Sequence, residues 1–141
     1  MDPLGSLAIL NSSDSGDLSS NALLKIPPGS TTVYCPVNIN NRHWILLILR
    51  RLTSKIEVYD PQGNEHPDVI RKYKIFLGPA WQVSYPELVR FQRIPRQSNG
   101  FDCGVFVCLY ASYLMSNKTF DFTQSDLPAM RKWMAYRIAR G

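Results

Sequence analysis

The segment from Cys103 to Met115 is almost unbroken in apolar side chains, with only Gly104 and Ser112 interrupting it. A helix that is apolar on every side has no face to offer water, so other elements must cover it from several directions. The segment therefore predicts a central, buried helix, with Asp102 placed as its N-cap. Such cover needs a true domain. A chain of 141 residues supplies one, since a domain of that size buries roughly two-thirds of its unfolded surface. The composition, 45% hydrophobic and 19% charged, is that of a globular chain and not a disordered one.

The elements available to cover that helix lie on both sides of it. Val33–Ile39 is β-rich and carries Pro36, which suits an edge or bulged strand. His43–Arg50 is a run of large apolar residues, too short for a free helix, and reads as a buried strand. In Lys55–Tyr59, Ile56 and Val58 alternate with Glu57 and Tyr59, which predicts a third strand after a turn at Thr53-Ser54. Asp60-Pro61-Gln62-Gly63-Asn64 is loop chemistry. A helix is expected from Pro67 to Leu77, ended by Gly78-Pro79, and a strand over Leu88–Ile94. A last helix opens at Ser125-Asp126, with Pro128 in its first turn. Leu127, Met130, Met134 and Ile138 mark its apolar face. The order β-β-β-α-β-α-α describes an α+β domain, a sheet packed on a central helix. It occupies residues 32–141. Residues 1–31, rich in Ser and ending in Pro27-Pro28-Gly29, are expected to form a flexible arm, with Leu7–Leu10 and Ala22–Ile26 as short docking patches.

Several classes of function are disfavoured. No apolar run approaches the roughly 18 residues of a membrane span, and no basic stretch followed by an apolar one suggests a secretory leader. Three cysteines cannot all pair, which points to a reducing, intracellular setting, nuclear or cytoplasmic. The net charge of +5 is spread over short basic clusters such as Arg50-Arg51, Arg71-Lys72 and Arg131-Lys132. That pattern fits a solvated surface better than a nucleic-acid face. A monomer is expected. No glycine-rich phosphate loop is present. Cys35, His43, His66, Cys103 and Cys108 lack the paired spacing of a zinc site, so no metal or other cofactor is expected.

Three residues stand where a scaffold holds side chains rigidly at a cleft. His43 opens a strand, Asp60 ends the next, and Cys103 begins a helix. If those two strands form a hairpin, His43 and Asp60 meet, and the carboxylate fixes the tautomer of the imidazole. A helix N-terminus favours a thiolate at Cys103, and an imidazole beside it activates a nucleophile for attack on a carbonyl. The oxyanion donors on offer are the Cys103 backbone N–H and the side-chain amide of Gln97. Each residue also has a plain structural reading. A cysteine in an apolar helix is usually a small buried hydrophobe, as expected for Cys108 and Cys35, and Asp60 before Pro61 serves as a turn starter. The combination is what suggests chemistry.

The strings NRHWILLIL, IEVYDPQG and PRQSNGFDCGVFVC resemble the catalytic core of the Ulp/SENP proteases of ubiquitin-like proteins, over residues 32 to 139. The resemblance implies a papain-like cysteine protease. In it His43 is the general base, Asp60 its orienting partner, Cys103 the nucleophile and Gln97 the oxyanion donor. Trp44 corresponds to the tryptophan that walls a narrow tunnel over the substrate's Gly-Gly tail, where only residues without side chains pass. The implied reaction is hydrolysis after that glycine in SUMO or a related modifier, by maturation of a precursor or by deconjugation. Members of that family usually carry a longer N-terminal part of the domain, so either the arm takes the place of that part or the domain is shortened on that side. The alternatives are an adenovirus-type or mobile-element polyprotein protease, which shares the His, acid, Cys order, and an inactive module that binds a ubiquitin-like protein without cutting it.

Overall fold

The computed structural model describes residues 29–81, 87–90 and 93–141. Residues 1–28, which hold most of the expected arm and both its apolar patches, lie outside them. Four strands form one sheet in the order β1 (Thr32–Ile39), β2 (His43–Arg50), β3 (Lys55–Tyr59) and β4 (Glu87–Arg90). The first three are antiparallel neighbours, and β4 runs parallel to β3. Helix α1 (Pro67–Trp81) makes the crossover between β3 and β4. Helices α2 (Cys103–Met115) and α3 (Leu127–Arg140) complete the chain.

Local chemistry sets the hairpins. Asn40 and Asn41 both have φ of 53°, and Arg42 N–H donates to the Ile39 carbonyl at 3.0 Å. Two consecutive residues of positive φ are what a primed turn needs, and Asn tolerates that region better than most residues. Pairing of Ile39 with His43 follows directly. At the other end of β2, Ser54 takes φ of 51° and its N–H bonds the Arg51 carbonyl. Pro36 is accommodated because β1 is an edge strand, as expected.

The period of two divides the strands between two cores. Val33, Cys35, Val37, Ile45, Leu47, Leu49, Ile56 and Val58 face one side, where Ile70 and Tyr73 of α1 close over them. Leu46, Ile48 and Tyr59 face the other, against Phe106, Val107, Leu109 and Tyr110 of α2, with Phe122 and Leu127. β2 is therefore apolar at consecutive positions because both of its faces are covered. On the α2 side, Glu57 is buried but satisfied by Arg50 and by the Tyr59 hydroxyl, which donates at 2.9 Å. Burial first, then the adjacent Glu57, push the Tyr59 phenol well above its usual range.

The structure corrects several sequence expectations. Among the described residues, helix α2 is not covered all round. Its Phe106–Tyr110 side packs on the sheet, whereas Cys108 and Met115 are exposed. Cys108 is thus not the buried hydrophobe expected: five residues beyond Cys103, it is turned by well over a right angle from the sheet-facing side. Asp102 stands at the N-cap position but makes no side-chain cap bond; other partners take its carboxylate. α1 continues past Gly78-Pro79 to Trp81, since one proline removes one helical bond without being able to stop every helix. β4 spans Glu87–Arg90; of the strand expected over Leu88–Ile94, residues 91 and 92 lie outside the described residues, and Arg93 and Ile94 are not in a strand. In α3 the apolar stripe is buried at Leu127 and half-buried at Met130 and Met134, but Ile138 is 79% exposed. Among the described residues no helix is long and apolar enough to cross a membrane.

Candidate active site

His43 and Asp60 meet as the hairpin predicts. Leu46 pairs with Tyr59, so the start of β2 and the chain leaving β3 lie at one end of the sheet. There His43 Nε2 is 2.6 Å from Asp60 Oδ1, and both residues are buried. The Asp60 carboxylate also closes its own loop, accepting from Gln62 N–H at 2.8 Å and Asn64 N–H at 3.0 Å. This is the local turn chemistry of an Asx motif. Gly63 completes the turn at φ of 71°, with its N–H on the Asp60 carbonyl and the Arg96 side chain lying where a Cβ would project. Burial alone would raise the Asp60 carboxyl. Hydrogen bonds from His43, His66 and the Gln62 backbone outweigh it and hold the group far below the usual carboxylate range. With Nε2 committed to Asp60, Nδ1 of His43 is buried and has no hydrogen-bond partner among the described residues.

His66 is the residue that sequence reasoning left unused. Its Nε2 lies 2.7 Å from Asp60 Oδ2, so the two histidines of the chain share one carboxylate. Its carbonyl accepts the first bond of α1, from Ile70 N–H at 3.0 Å. The available signal was the chain having two histidines in all, one of them just after the Asp60 loop. His43, Asp60 and His66 are also the group whose donor atoms, all within 4.8 Å of one another, could hold a metal ion.

Cys103 is the first residue of α2 and is buried to 6% exposure. The loop before it is fastened at several points. Gln97 N–H bonds the Pro61 carbonyl at 3.0 Å, which joins this loop to the Asp60 loop. The Tyr110 hydroxyl of α2 donates to the Pro95 carbonyl. Asp102 accepts from Asn99 Nδ2 at 2.7 Å, Gln124 Nε2 at 2.8 Å and Arg131 Nε at 2.8 Å. These bonds tie the loop to α3 and to the turn before it. Burial pushes the Asp102 carboxyl up, but the bonds from Asn99, Arg131 and Gln124 bring it below its ordinary value. Asp102 is thus an anchor between elements, the use that displaces it from capping. The Gln97 amide is folded back, its Nε2 donating to the Asn99 carbonyl, while its Oε1 is buried with no hydrogen-bond partner among the described residues. One of the two amide N–H groups remains for another acceptor.

Cys103 and Trp44 line one open cleft, together with Gly104, Gly100, Asn41 and Arg131. Gly104 lets the indole come close: a Cβ there would sit 3.6 Å from Trp44 Cδ1. Neither His43 nor Gln97 is part of that lining.

A cysteine at the head of a helix, packed on a sheet whose strand ends present a bonded His–Asp pair, is the layout of a papain-like cysteine-peptidase core. Comparison with known proteins narrows this. The profile of the Ulp1 protease family, C-terminal catalytic domain, matches residues 30–141. The chain belongs to that family. It is 49% identical over 106 residues to human sentrin-specific protease 2, covering 68% of this chain and 18% of that protein. It is 34% identical over 125 residues to mouse sentrin-specific protease 5, covering 82% of this chain and 15% of that protein. The chain thus spans less than a fifth of the length of these curated relatives. Among solved structures, the Chaetomium thermophilum Ulp1-like SUMO protease catalytic domain superposes with a TM-score of 0.74 at 21% identity, over 96% of this chain and 61% of that one. The yeast Ulp1 protease domain in complex with Smt3, the yeast orthologue of SUMO, gives 0.70 at 21% identity, over 92% and 66%. Both are likenesses of fold.

Proposed function

We propose that this chain is the catalytic core of a thiol protease that cleaves after the C-terminal Gly-Gly of SUMO or a related ubiquitin-like modifier. The observation that carries this reading is the bonded pair His43–Asp60, which leaves Nδ1 of a buried imidazole as the ring's remaining proton acceptor. In the reaction, His43 Nδ1 takes the proton of the Cys103 thiol as the sulfur attacks the carbonyl carbon of the terminal glycine. Asp60 holds the tautomer and stabilises the imidazolium without itself being protonated. The oxyanion is met by the Cys103 backbone N–H and the free N–H of the Gln97 amide once it turns toward the substrate. His43 then gives its proton to the leaving amine, and a thioester remains. Water attacks that thioester, with His43 again as base, and releases the modifier's carboxylate and the thiol. Trp44 beside Gly104 forms the wall that only a glycine pair passes.

The relatives support this substrate class, since one of the similar structures holds SUMO's yeast orthologue. None of the three cysteines is in a disulfide, which supports an intracellular place of work, nuclear or cytoplasmic. The test is covalent labelling with C-terminal electrophile derivatives of SUMO, the NEDD8-type modifier and ubiquitin. An adduct with one of them, absent from Cys103→Ala, is the expected result. Labelling that persists in Cys103→Ala removes the proposed nucleophile. Folded protein that reacts with none of the three overturns this reading and favours an inactive binding module or a shortened core.

A further inference from the structure

The proposed reaction uses His43 and Asp60 but gives His66 nothing to do. Yet His66 is largely enclosed, its side chain 13% exposed, and its Nε2 is aimed at the same carboxylate as His43, with the ring centroids 6.0 Å apart. Two imidazole nitrogens and a carboxylate converge within 4.8 Å. Two histidines and one acid, with a fourth position open, is a recurrent ligand set for Zn²⁺. We propose that His43, Asp60 and His66 form a Zn²⁺ site, and that a cation bound there reversibly inhibits the enzyme.

The chemistry of the donors favours this. Zn²⁺ sits about 2.0–2.1 Å from histidine nitrogen and about 2.0–2.2 Å from carboxylate oxygen. A tetrahedral ion at those distances needs its donor atoms roughly 3.3 Å from one another, and the three donor atoms here already lie within 4.8 Å of one another. The carboxylate is held in place by two backbone N–H donors, Gln62 and Asn64, so its oxygens are already fixed toward the two rings. An imidazole that binds a metal through Nε2 carries its proton on Nδ1. In His43 this nitrogen is buried with no hydrogen-bond partner among the described residues, so it is open to carry it. No thiolate is needed as a ligand.

Inhibition follows from the same tautomer. With Nε2 on the metal and a proton fixed on Nδ1, His43 is a donor only. It can no longer take the thiol's proton and hand it on to the leaving amine. The inhibitory half of the proposal rests on His43 being the general base, whereas metal binding does not.

The two halves are tested separately. Cys103→Ser, which has no catalytic thiol, is titrated with Co²⁺ as a visible stand-in for Zn²⁺. One equivalent should bind, giving visible d–d absorption that Zn²⁺ abolishes by displacement. His66→Gln or His66→Asn in the same background, shown to be folded by circular dichroism, should weaken binding at least about tenfold, since even outer-shell changes cost 10–100-fold. Zinc-edge X-ray absorption of the Cys103→Ser complex should report two imidazoles and oxygen, a reading that needs no histidine variant. Absence of binding, binding indifferent to His66, or a thiolate-to-cobalt band in the wild-type protein that marks a Cys103 site would each overturn the proposal. For the inhibitory half, micromolar Zn²⁺ should block labelling by the electrophile probe and a chelator should restore it. Unchanged labelling of a zinc-loaded protein would discard inhibition while leaving the metal site standing.

Discussion

At the residue scale, the site depends on how few atoms are left uncommitted. Asp60 accepts from His43, His66, Gln62 and Asn64, so its carboxylate has no freedom to turn away. Cys103→Ala and His43→Ala are expected to abolish turnover of a Gly-Gly substrate while the circular dichroism spectrum stays native. Gln97→Ala should retain turnover reduced on the order of 10²-fold, the usual loss for one oxyanion donor. Equal rates for Gln97→Ala and the wild type would remove the amide from the mechanism. The same commitments set the acid limit of stability. Asp60 and Asp102 both sit below the ordinary carboxylate value when folded. The stability they contribute is therefore present above the unfolded value of about 3.9 and is lost as pH falls through the depressed folded values. Denaturant titrations from pH 6 downward should show stability falling below about pH 4. Asp102→Asn, less stable at pH 6, should fall less steeply; parallel curves would show that Asp102 is not among the groups responsible.

At the scale of elements, α2 has two unlike sides. The Phe106 ring is fully enclosed and touches Tyr110 and Phe122, with centroids 6.0 and 5.8 Å away. Phe106→Ala is expected to cost about 3–5 kcal/mol, the loss of a buried aromatic plus the cavity it leaves. Cys108→Ala, only two residues further on, should stay within about 0.5 kcal/mol, as exposed substitutions do. Chemical denaturation of the two variants measures the contrast, and similar losses would mean that both sides of the helix are covered. The segment after α2 matters in the same way. Phe120 and Phe122 fold back as a ring cluster over Tyr59, Tyr110 and Tyr113. This fixes the path of the chain into the turn whose Gln124 reaches Asp102.

At the scale of the whole molecule, the sheet is the divider between two cores and the site lies at one of its ends. The residues proposed to carry the chemistry come from the start of β2, the position just after β3 and the start of α2, so their alignment depends on both cores being packed at once. The outer part of α3 contributes little to that packing. Trp133 is 50% and Ile138 79% exposed, and the charged ends of Arg137 and Arg140 lie over the rings of Trp133 and Tyr136. Ile138→Gln is expected to leave the denaturation midpoint of this chain within the range of a neutral surface change, about 0.5 kcal/mol. A larger loss would show that another part of the chain covers that face.

By itself the sequence determined the strands of the antiparallel hairpins, the helix carrying Cys103, and the meeting of His43 with Asp60. Those features rest on short-range rules: a period of two, apolar runs bounded by turn residues, and two strands joined by a short loop. Tertiary structure alone decided which side of α2 is covered, because an apolar segment does not say how many neighbours it has. It also decided that Asp102 anchors the loop to α3 and does not cap α2, since a carboxylate goes to a guanidinium brought across the fold in preference to a nearby backbone N–H. And it brought His66 onto the carboxylate of Asp60. Nothing in the spacing of the two histidines announces that. Only the closing of the Asp60 loop, with α1 starting at its far side, places both rings on one acid.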